Sequence, residues 1–298
     1  MTIRHMRIFI AVADHGKMST AAQALYMTQP SISQAIGEIE REYDVKVFER
    51  LARRLYITEA GSHLLDYARH IVSLYDEMEA SVRNLGQGLQ LRIGATVTVG
   101  TCVIGDIIDA FEKKFPKNKP QVLIDNTDSI ERKILESSLD VALVEGLVKS
   151  PELICQPVME DELVLVCGRN HPFWGRKNLD SADLQGVPFI LREKGSGTRE
   201  LFENRLREKN IVVEEGWVSN NSEAIKNAAI RGYGPTVISK RLVEKELEGQ
   251  SLRIIPIRDM SMKRQFRLIY HKNKYISASM QEFINLCIKI QHAGKAER

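Results

Sequence analysis

The chain of 298 residues carries 42 Lys and Arg against 39 Asp and Glu, a formal net charge of +3 that excludes a polybasic tail protein. Hydrophobic residues at 43% and charged residues at 27% are ordinary globular composition, and 19 Gly and 9 Pro are too few for disorder or a collagen-like chain. This length predicts about two domains and a core that buries roughly three quarters of the unfolded surface.

Cys102, Cys155, Cys167 and Cys287 form no CxxC pair, so neither a zinc ribbon nor a dithiol redox motif is available and reduced thiols are expected. No run of 18 apolar residues exists, and Arg4, His5 and Arg7 are not followed by an apolar signal core. These features predict a cytoplasmic protein without a membrane partner. GxxxxGK[ST], HExxH, GxSxG and a strand-following GxGxxG are all missing, which argues against an enzyme. Only His63 and His70 among the histidines stand within helical reach, without carboxylate or cysteine company, so no metal and no cofactor are expected.

The first 58 residues hold 8 Lys or Arg against 6 Asp or Glu, and thus +2 of the total charge. Thr2 is placed to cap a helix with Met6, Phe9, Ile10 and Ala13 on one stripe and Gly16 as its stop. Ser19 is expected to cap a second, short helix. Thr28 is expected to cap a third, with Pro30 in the first turn, where a missing donor costs nothing. Ile32, Ile36, Ile39 and Tyr43 then draw one buried stripe, and Gln29, Ser33, Gln34, Gly37 and Arg41 lie on other faces. Val47 to Arg50 and Leu55 to Ile57 read as a small hairpin, a wing, whose loop end carries Arg53 and Arg54.

From Thr58 to about Leu85 the residues Leu64, Tyr67, Ile71, Leu74, Met78 and Leu85 follow a heptad-like spacing broken at Ser81. The seam suits a dimer interface or, alternatively, a long helix folded back on its own domain. Gly86, Gln87 and Gly88 end it. Strands are predicted at Leu91 to Ala95, Gln121 to Asn126 and Val141 to Val144, with helices near Val103 to Phe115 and Asp128 to Leu135 between them. That βαβαβ order means a parallel sheet covered by helices. Leu163 to Cys167, Phe189 to Leu191, Val212 to Val218 and Pro235 to Ile238 read as further strands. Helices from Thr198 to about Glu208 and from Asn221 to Arg231 alternate with them. Gln265 to Tyr270, a last helix near Ala278 to Ile290 and a frayed tail from Ala293 close the chain. Two α/β lobes joined by crossovers near residues 162 and 265 are expected.

This order of parts, MSTAAQALYMTQPSISQAIGEIE over Met18 to Glu40 and VFERLARRLYITEAG over Val47 to Gly61, resembles the LysR-type transcriptional regulators along essentially the whole chain. The resemblance implies a winged helix-turn-helix over residues 1–58, a dimerising linker helix over 59–87 and an effector-binding domain over 88–298. That last part would be two Rossmann-like α/β lobes of periplasmic-binding-protein type, lobe I at about 88–162 and 266–292 and lobe II at about 163–265. It implies a homodimer that pairs into a homotetramer, with RNA polymerase as a further partner. Gln34 replaces an Arg common in the family, and Leu51 and Ala52 replace a Thr-Gly pair, so a changed sequence preference is expected.

A recognition helix must present short polar groups, because the major groove admits one helix with little room to spare. Gln29, Ser31, Ser33 and Gln34 meet that need, and the ring of Pro30 can touch a thymine methyl. Thr28 with the helix N-terminus can hold a phosphate, and Arg50, Arg53 and Arg54 offer charge to the backbone or the minor groove. The alternative is a set of exposed helix positions and a solvated loop. A dimer would space two such helices by about 34 Å and require double-stranded DNA of approximate two-fold symmetry.

Three segments are predicted to line the cleft between the lobes. ATVTVGT supplies Thr96, Val97 and Thr98, NTDS supplies Thr127, and REKGSGTR supplies Gly195, Ser196 and Thr198, a donor-rich concavity suited to a carboxylate or other oxyanion. Glu145 follows a strand and either faces the cleft or makes a hinge contact. Thr98 and Thr127 serve equally well as helix caps. No motif places a His beside Ser196 as its base, so no catalytic residue is expected. The expected function is a sequence-specific DNA-binding regulator modulated by a small, anionic effector.

Overall fold

A computed structural model describes residues 1–51, 54–83 and 90–296. The chain divides into two compact units, residues 1–89 with 135–137, and residues 90–134 with 138–298. Among the described residues no helix is long and apolar enough to cross a membrane.

The first unit is built from three short helices, a hairpin and a long helix. In α1 (Ile3–His15) the Thr2 hydroxyl accepts from the His5 N–H, and Gly16 ends the helix in the left-handed region, its N–H donating to the Val12 carbonyl at 3.0 Å. Helix α2 (Met18–Ala24) begins at Lys17 and has no side-chain cap, so the capping expected of Ser19 does not occur. The chain re-enters helix within two residues of Gly16, which leaves Ser19 inside the first turn. Thr28 caps α3 (Gln29–Tyr43), its Oγ1 accepting from the Ser31 N–H at 3.4 Å, with Pro30 in the first turn as predicted. Ile32, Ile36 and Ile39 are buried, but Tyr43 is half exposed because the helix ends there and turns at Asp44.

β1 (Phe48–Leu51) and β2 (Arg54–Ile57) pair antiparallel from Phe48↔Ile57 to Leu51↔Arg54. Helix α4 (Glu59–Arg83) sinks Leu65 and Ala68 into a core shared with Phe9, Val12, Ala21, Ile36 and Phe48. Arg7–Asp76 and Arg69–Asp14 ion pairs tie α4 to α1. Tyr67, Ile71, Leu74 and Met78 remain exposed along one side of α4, so the seam does not fold back on its own domain. Leu85 and the Gly86 to Gly88 break lie outside the described residues.

The second unit opens with β3 (Arg92–Thr96), α5 (Val97–Cys102), α6 (Ile104–Lys114), β4 (Gln121–Asp125), α7 (Thr127–Leu135) and β5 (Val141–Val144). The helix expected near Val103 to Phe115 is α6, and an unexpected helix, α5, precedes it, starting directly at the strand end and ending where the backbone breaks at Val103. β3 pairs parallel with both β4 and β5, as the βαβαβ order requires. β6 (Leu153–Gly168) starts ten residues before the expected Leu163, where Pro157 and a run of charges hide the strand pattern.

The chain continues through β7 (Pro188–Arg192), α8 (Gly197–Glu208), β8 (Glu214–Ser219), α9 (Ser222–Ile230), β9 (Thr236–Ser239), α10 (Glu244–Glu248) and β10 (Leu252–Ile254). It closes with β11 (Lys263–His271) and α11 (Ala278–Ala296). Helix α11 runs past Ala293, where a frayed tail was expected, to Ala296. The strand order is β4-β3-β5-β11-β6-β9-β7-β8, with β10 on β6. Residues Leu153 to Glu162 of β6 pair with β11, whereas Leu163 to Val166 pair with β9, so this strand passes from one lobe into the other. Phe111, Phe266 and Phe283 fill the core of one lobe, and Phe189 and Phe202 that of the other.

Candidate functional site

On α3 the burial of Ile32, Ala35, Ile36 and Ile39 turns the opposite face outward, and Thr28, Gln29, Pro30, Ser31, Ser33 and Gln34 are all exposed. The cap is reinforced by a 2.8 Å bond between the Thr28 and Ser31 hydroxyls. Gln34 donates its amide to Glu38 Oε1 at 2.9 Å. The side chains of Arg50 and Arg54, and the whole of Arg53, lie outside the described residues.

The second site has the opposite character. Thr96 ends β3 with 0% exposure, Thr98 is 1% exposed on α5, Thr127 opens α7 at 1%, and Ser196 precedes α8 at 1%. Glu145 follows β5, and Thr198 lies in the first turn of α8, both buried. Ser196 occupies the N-cap position of α8 without capping it. Val97 is half buried, and its carbonyl accepts from the Thr101 hydroxyl at 2.8 Å.

The two lobes meet here through glycines. A Cβ added to Gly197 would lie 2.3 Å from the Cα of Gly146, and one added to Gly146 would lie 2.6 Å from Thr127 Oγ1. Only glycine permits this approach. Gly195 adopts φ 86 and its carbonyl accepts from the Asp128 N–H at 3.2 Å. At the rim, Lys149 Nζ lies 2.9 Å from Asp128 Oδ1 and 3.5 Å from Glu200 Oε1, bridging α7 to α8.

At the centre stands Arg264 of β11, whose side chain is 5% exposed. Its Nε donates to Asp161 Oδ2 at 2.6 Å, Nη1 to Thr198 Oγ1 at 2.9 Å and Nη2 to Thr98 Oγ1 at 3.4 Å. Glu145 Oε2 is 3.6 Å from Nη2, while its Oε1 accepts from Thr198 at 3.3 Å. Asp161 also accepts from the Ser239 hydroxyl at 2.7 Å. Arg264 and Asp161 escaped the sequence reading, although strand parity marks both. Arg264 shares its side of β11 with Phe266 and Leu268, and Asp161 its side of β6 with Leu163 and Leu165, all buried.

Four buried side-chain oxygens in this cleft have no hydrogen-bond partner: Thr96 Oγ1, Thr127 Oγ1, Glu145 Oε2 and Ser196 Oγ. A buried polar group without a partner costs about 1–3 kcal/mol. The two arginines of REKGSGTR do not supply the missing bonds. Arg192 pairs with Glu193, and Arg199 with Glu203 and Glu215, away from the cleft. Burial holds the thiol of Cys102, the cysteine beside this cluster, above its ordinary range, against the pull of Arg241.

The family model described as LysR substrate binding domain matches residues 85–290, and that described as bacterial regulatory helix-turn-helix protein, lysR family, matches residues 3–62. The chain belongs to the LysR family of transcriptional regulators. The HTH-type transcriptional regulator CysL of Bacillus subtilis is 30% identical to this regulator over 284 residues, covering 92% of this chain and 95% of its own. The regulatory domain of Synechocystis CcmR in complex with 2-PG is 26% identical, with a TM-score of 0.63 over 68% of this chain and 97% of that one. Full-length CbnR, solved with its target DNA, shares the fold at a TM-score of 0.61 and 20% identity, over 97% of this chain and all of that one. This regulator thus pairs a DNA-binding helix-turn-helix with an effector-binding domain of two α/β lobes.

Proposed function

We propose that this regulator reads a promoter site of approximate two-fold symmetry through α3 and is switched by a small oxyanion or carboxylate held between its lobes. The observation that carries the effector reading is the set of buried oxygens without a hydrogen-bond partner on Thr96, Thr127 and Ser196, at the starts of α5, α7 and α8, and on Glu145 after β5. The three hydroxyls and the free amides at the start of α8 suit a negatively charged group. Glu145 accepts a proton donor on the effector and disfavours more highly charged anions. The Gly146–Gly197 approach limits the effector to a few atoms across. Val97, Thr98, Gly195 and Thr198 complete the wall.

The exposed apolar side of α4 fits a second copy of the chain, giving a homodimer that assembles to a homotetramer. Gln29, Pro30, Ser31, Ser33 and Gln34 take the major groove. Thr28 and the wing arginines Arg50, Arg53 and Arg54 take phosphates or the minor groove, and RNA polymerase is the downstream partner. The protein acts in the cytoplasm and catalyses no reaction.

Titration calorimetry of the full-length protein against sulfite, sulfate, phosphate and short carboxylates tests the effector reading. One of these anions binds, and Ser196→Ala weakens it by about tenfold, the worth of one hydrogen bond to a charged group. Equal affinity in the Ser196→Ala and Thr96→Val proteins would remove the cleft from the account.

A further inference from the structure

Tyr26 sits in the turn between α2 and α3, and its side chain is 98% exposed, the most open of the large hydrophobic residues described. Its backbone is left-handed at φ 53, a conformation that disfavours a residue with a Cβ and suits Gly or Asn. The turn is fixed by bonds from the Tyr26 N–H to the Gln23 carbonyl at 3.2 Å and from the Met27 N–H to the Ala22 carbonyl at 2.8 Å. The other non-glycine residues with positive φ among those described are Asp44, Ser137, Asn210 and Gln250, all polar. Among the described residues Tyr26 alone combines an unfavourable backbone with an aromatic ring left almost wholly open, so the fold of this unit gives no reason for it.

Its position gives one. Tyr26 stands two residues before Thr28, the cap of α3, and continues the exposed surface formed by Thr28, Gln29, Pro30 and Ser31. A phenol on a rigid turn is a neutral donor of long reach, the kind of group that contacts phosphate oxygens beside a recognition helix. We propose that Tyr26 is a DNA-backbone contact whose hydroxyl donates to a phosphate flanking the bases read by α3. The contact sets how deeply and at what angle the helix enters the groove, and it reads no base. This rests on the reading of α3 as the recognition helix.

The test uses full-length protein and a duplex selected by the wild type from a randomised library. Tyr26→Phe removes only the hydroxyl, and Tyr26→Asn relieves the backbone. Both lose affinity by about tenfold, as expected for one hydrogen bond to a charged acceptor. The salt dependence stays unchanged, because a neutral donor displaces no counterion. The melting temperature of Tyr26→Asn is equal to or above that of the wild type, and repeating the selection with either variant returns the same consensus. Wild-type affinity in Tyr26→Phe overturns the proposal, as does a changed consensus or a lower melting temperature in Tyr26→Asn. A wild type that selects no duplex fails the reading of α3 itself, whereas selection by the wild type with unimpaired variants fails Tyr26 alone.

Discussion

The face of α3 and the cluster where the two lobes meet are both rich in polar side chains and hold them in opposite ways. On the outward face of α3 Gln29, Ser31, Ser33 and Gln34 are exposed, and water can satisfy whatever the Thr28 cap and the Gln34–Glu38 bond do not. In the cleft the polar side chains are buried, and four of their oxygens are unsatisfied. A solvated face can be left empty at no cost and is suited to a partner that comes and goes with salt. A buried pocket with unsatisfied oxygens would gain stability from any ligand that bonds to them, so an effector held there, as proposed, would raise the stability of the unit.

The contrast breaks most severely at Arg264. Removing it as Arg264→Met leaves Asp161 and Glu145 facing each other in a buried site, and losing one partner of a buried ion pair costs about 3–5 kcal/mol. Urea unfolding of the effector-binding unit should show a loss of that size, with Arg264→Lys falling between because an ammonium cannot reproduce the fork. A loss no larger than that of an exposed arginine such as Arg207 would mean that the two carboxylates are solvated once Arg264 is gone.

Next in size is Gly197→Ala. The added methyl collides with the Gly146 backbone, and the strain falls only on the closed arrangement. Overpacking by one methyl costs about 1–3 kcal/mol, which reads out as roughly tenfold to hundredfold weaker effector binding. The unfolding midpoint without effector changes far less, because the lobes can part to relieve the clash.

The two sites were also unequally legible in the sequence. The α3 face was readable because its logic is local: a cap, a proline in the first turn and a four-three-four apolar stripe fix which residues point outward. The cleft was half readable. Thr96, Thr127 and Ser196 were placed by the rule that ligands gather at strand ends and helix starts, and the structure buries all three at such positions. Arg264 and Asp161 come from the strands that cross between lobes, far from any strand-to-helix turn, and only the parity of their strands betrays them. Gly146 was invisible, since its role is contact with Gly197, 51 residues later. The misplaced start of β6 has the same origin: Pro157 and the surrounding charges break an alternation that pairing with β11 restores.

A third change separates structural from functional burial within the effector-binding unit. Asp140 is buried like the cleft residues but engaged by Arg92 Nη2 at 2.6 Å, the Arg92 N–H at 2.7 Å and Lys274 Nζ at 2.9 Å. Burial pushes its carboxyl up, but Arg92 and Lys274 outweigh this and hold it below the usual value. A depressed carboxylate contributes stability that is present above the unfolded value, near 4, and is lost as pH falls through the folded value. Asp140→Asn should therefore cost about 2 kcal/mol at neutral pH, and the difference from wild type should close in unfolding experiments below about pH 4. A pH-independent difference would assign the cost to packing.

The smallest effects test the helix-turn-helix itself, where Thr28 and Ser19 look alike in sequence and differ in structure. Thr28 accepts the Ser31 N–H, so Thr28→Ala should lower the stability of the DNA-binding unit by about 1 kcal/mol. Ser19 lies within the first turn of α2 and makes no cap, so Ser19→Ala should be neutral or slightly stabilising, since alanine is the better helix former. Equal losses at both positions would mean that α2 starts at Ser19 in solution. That start would shift α2 by two residues and with it the turn at Tyr26 that leads into α3.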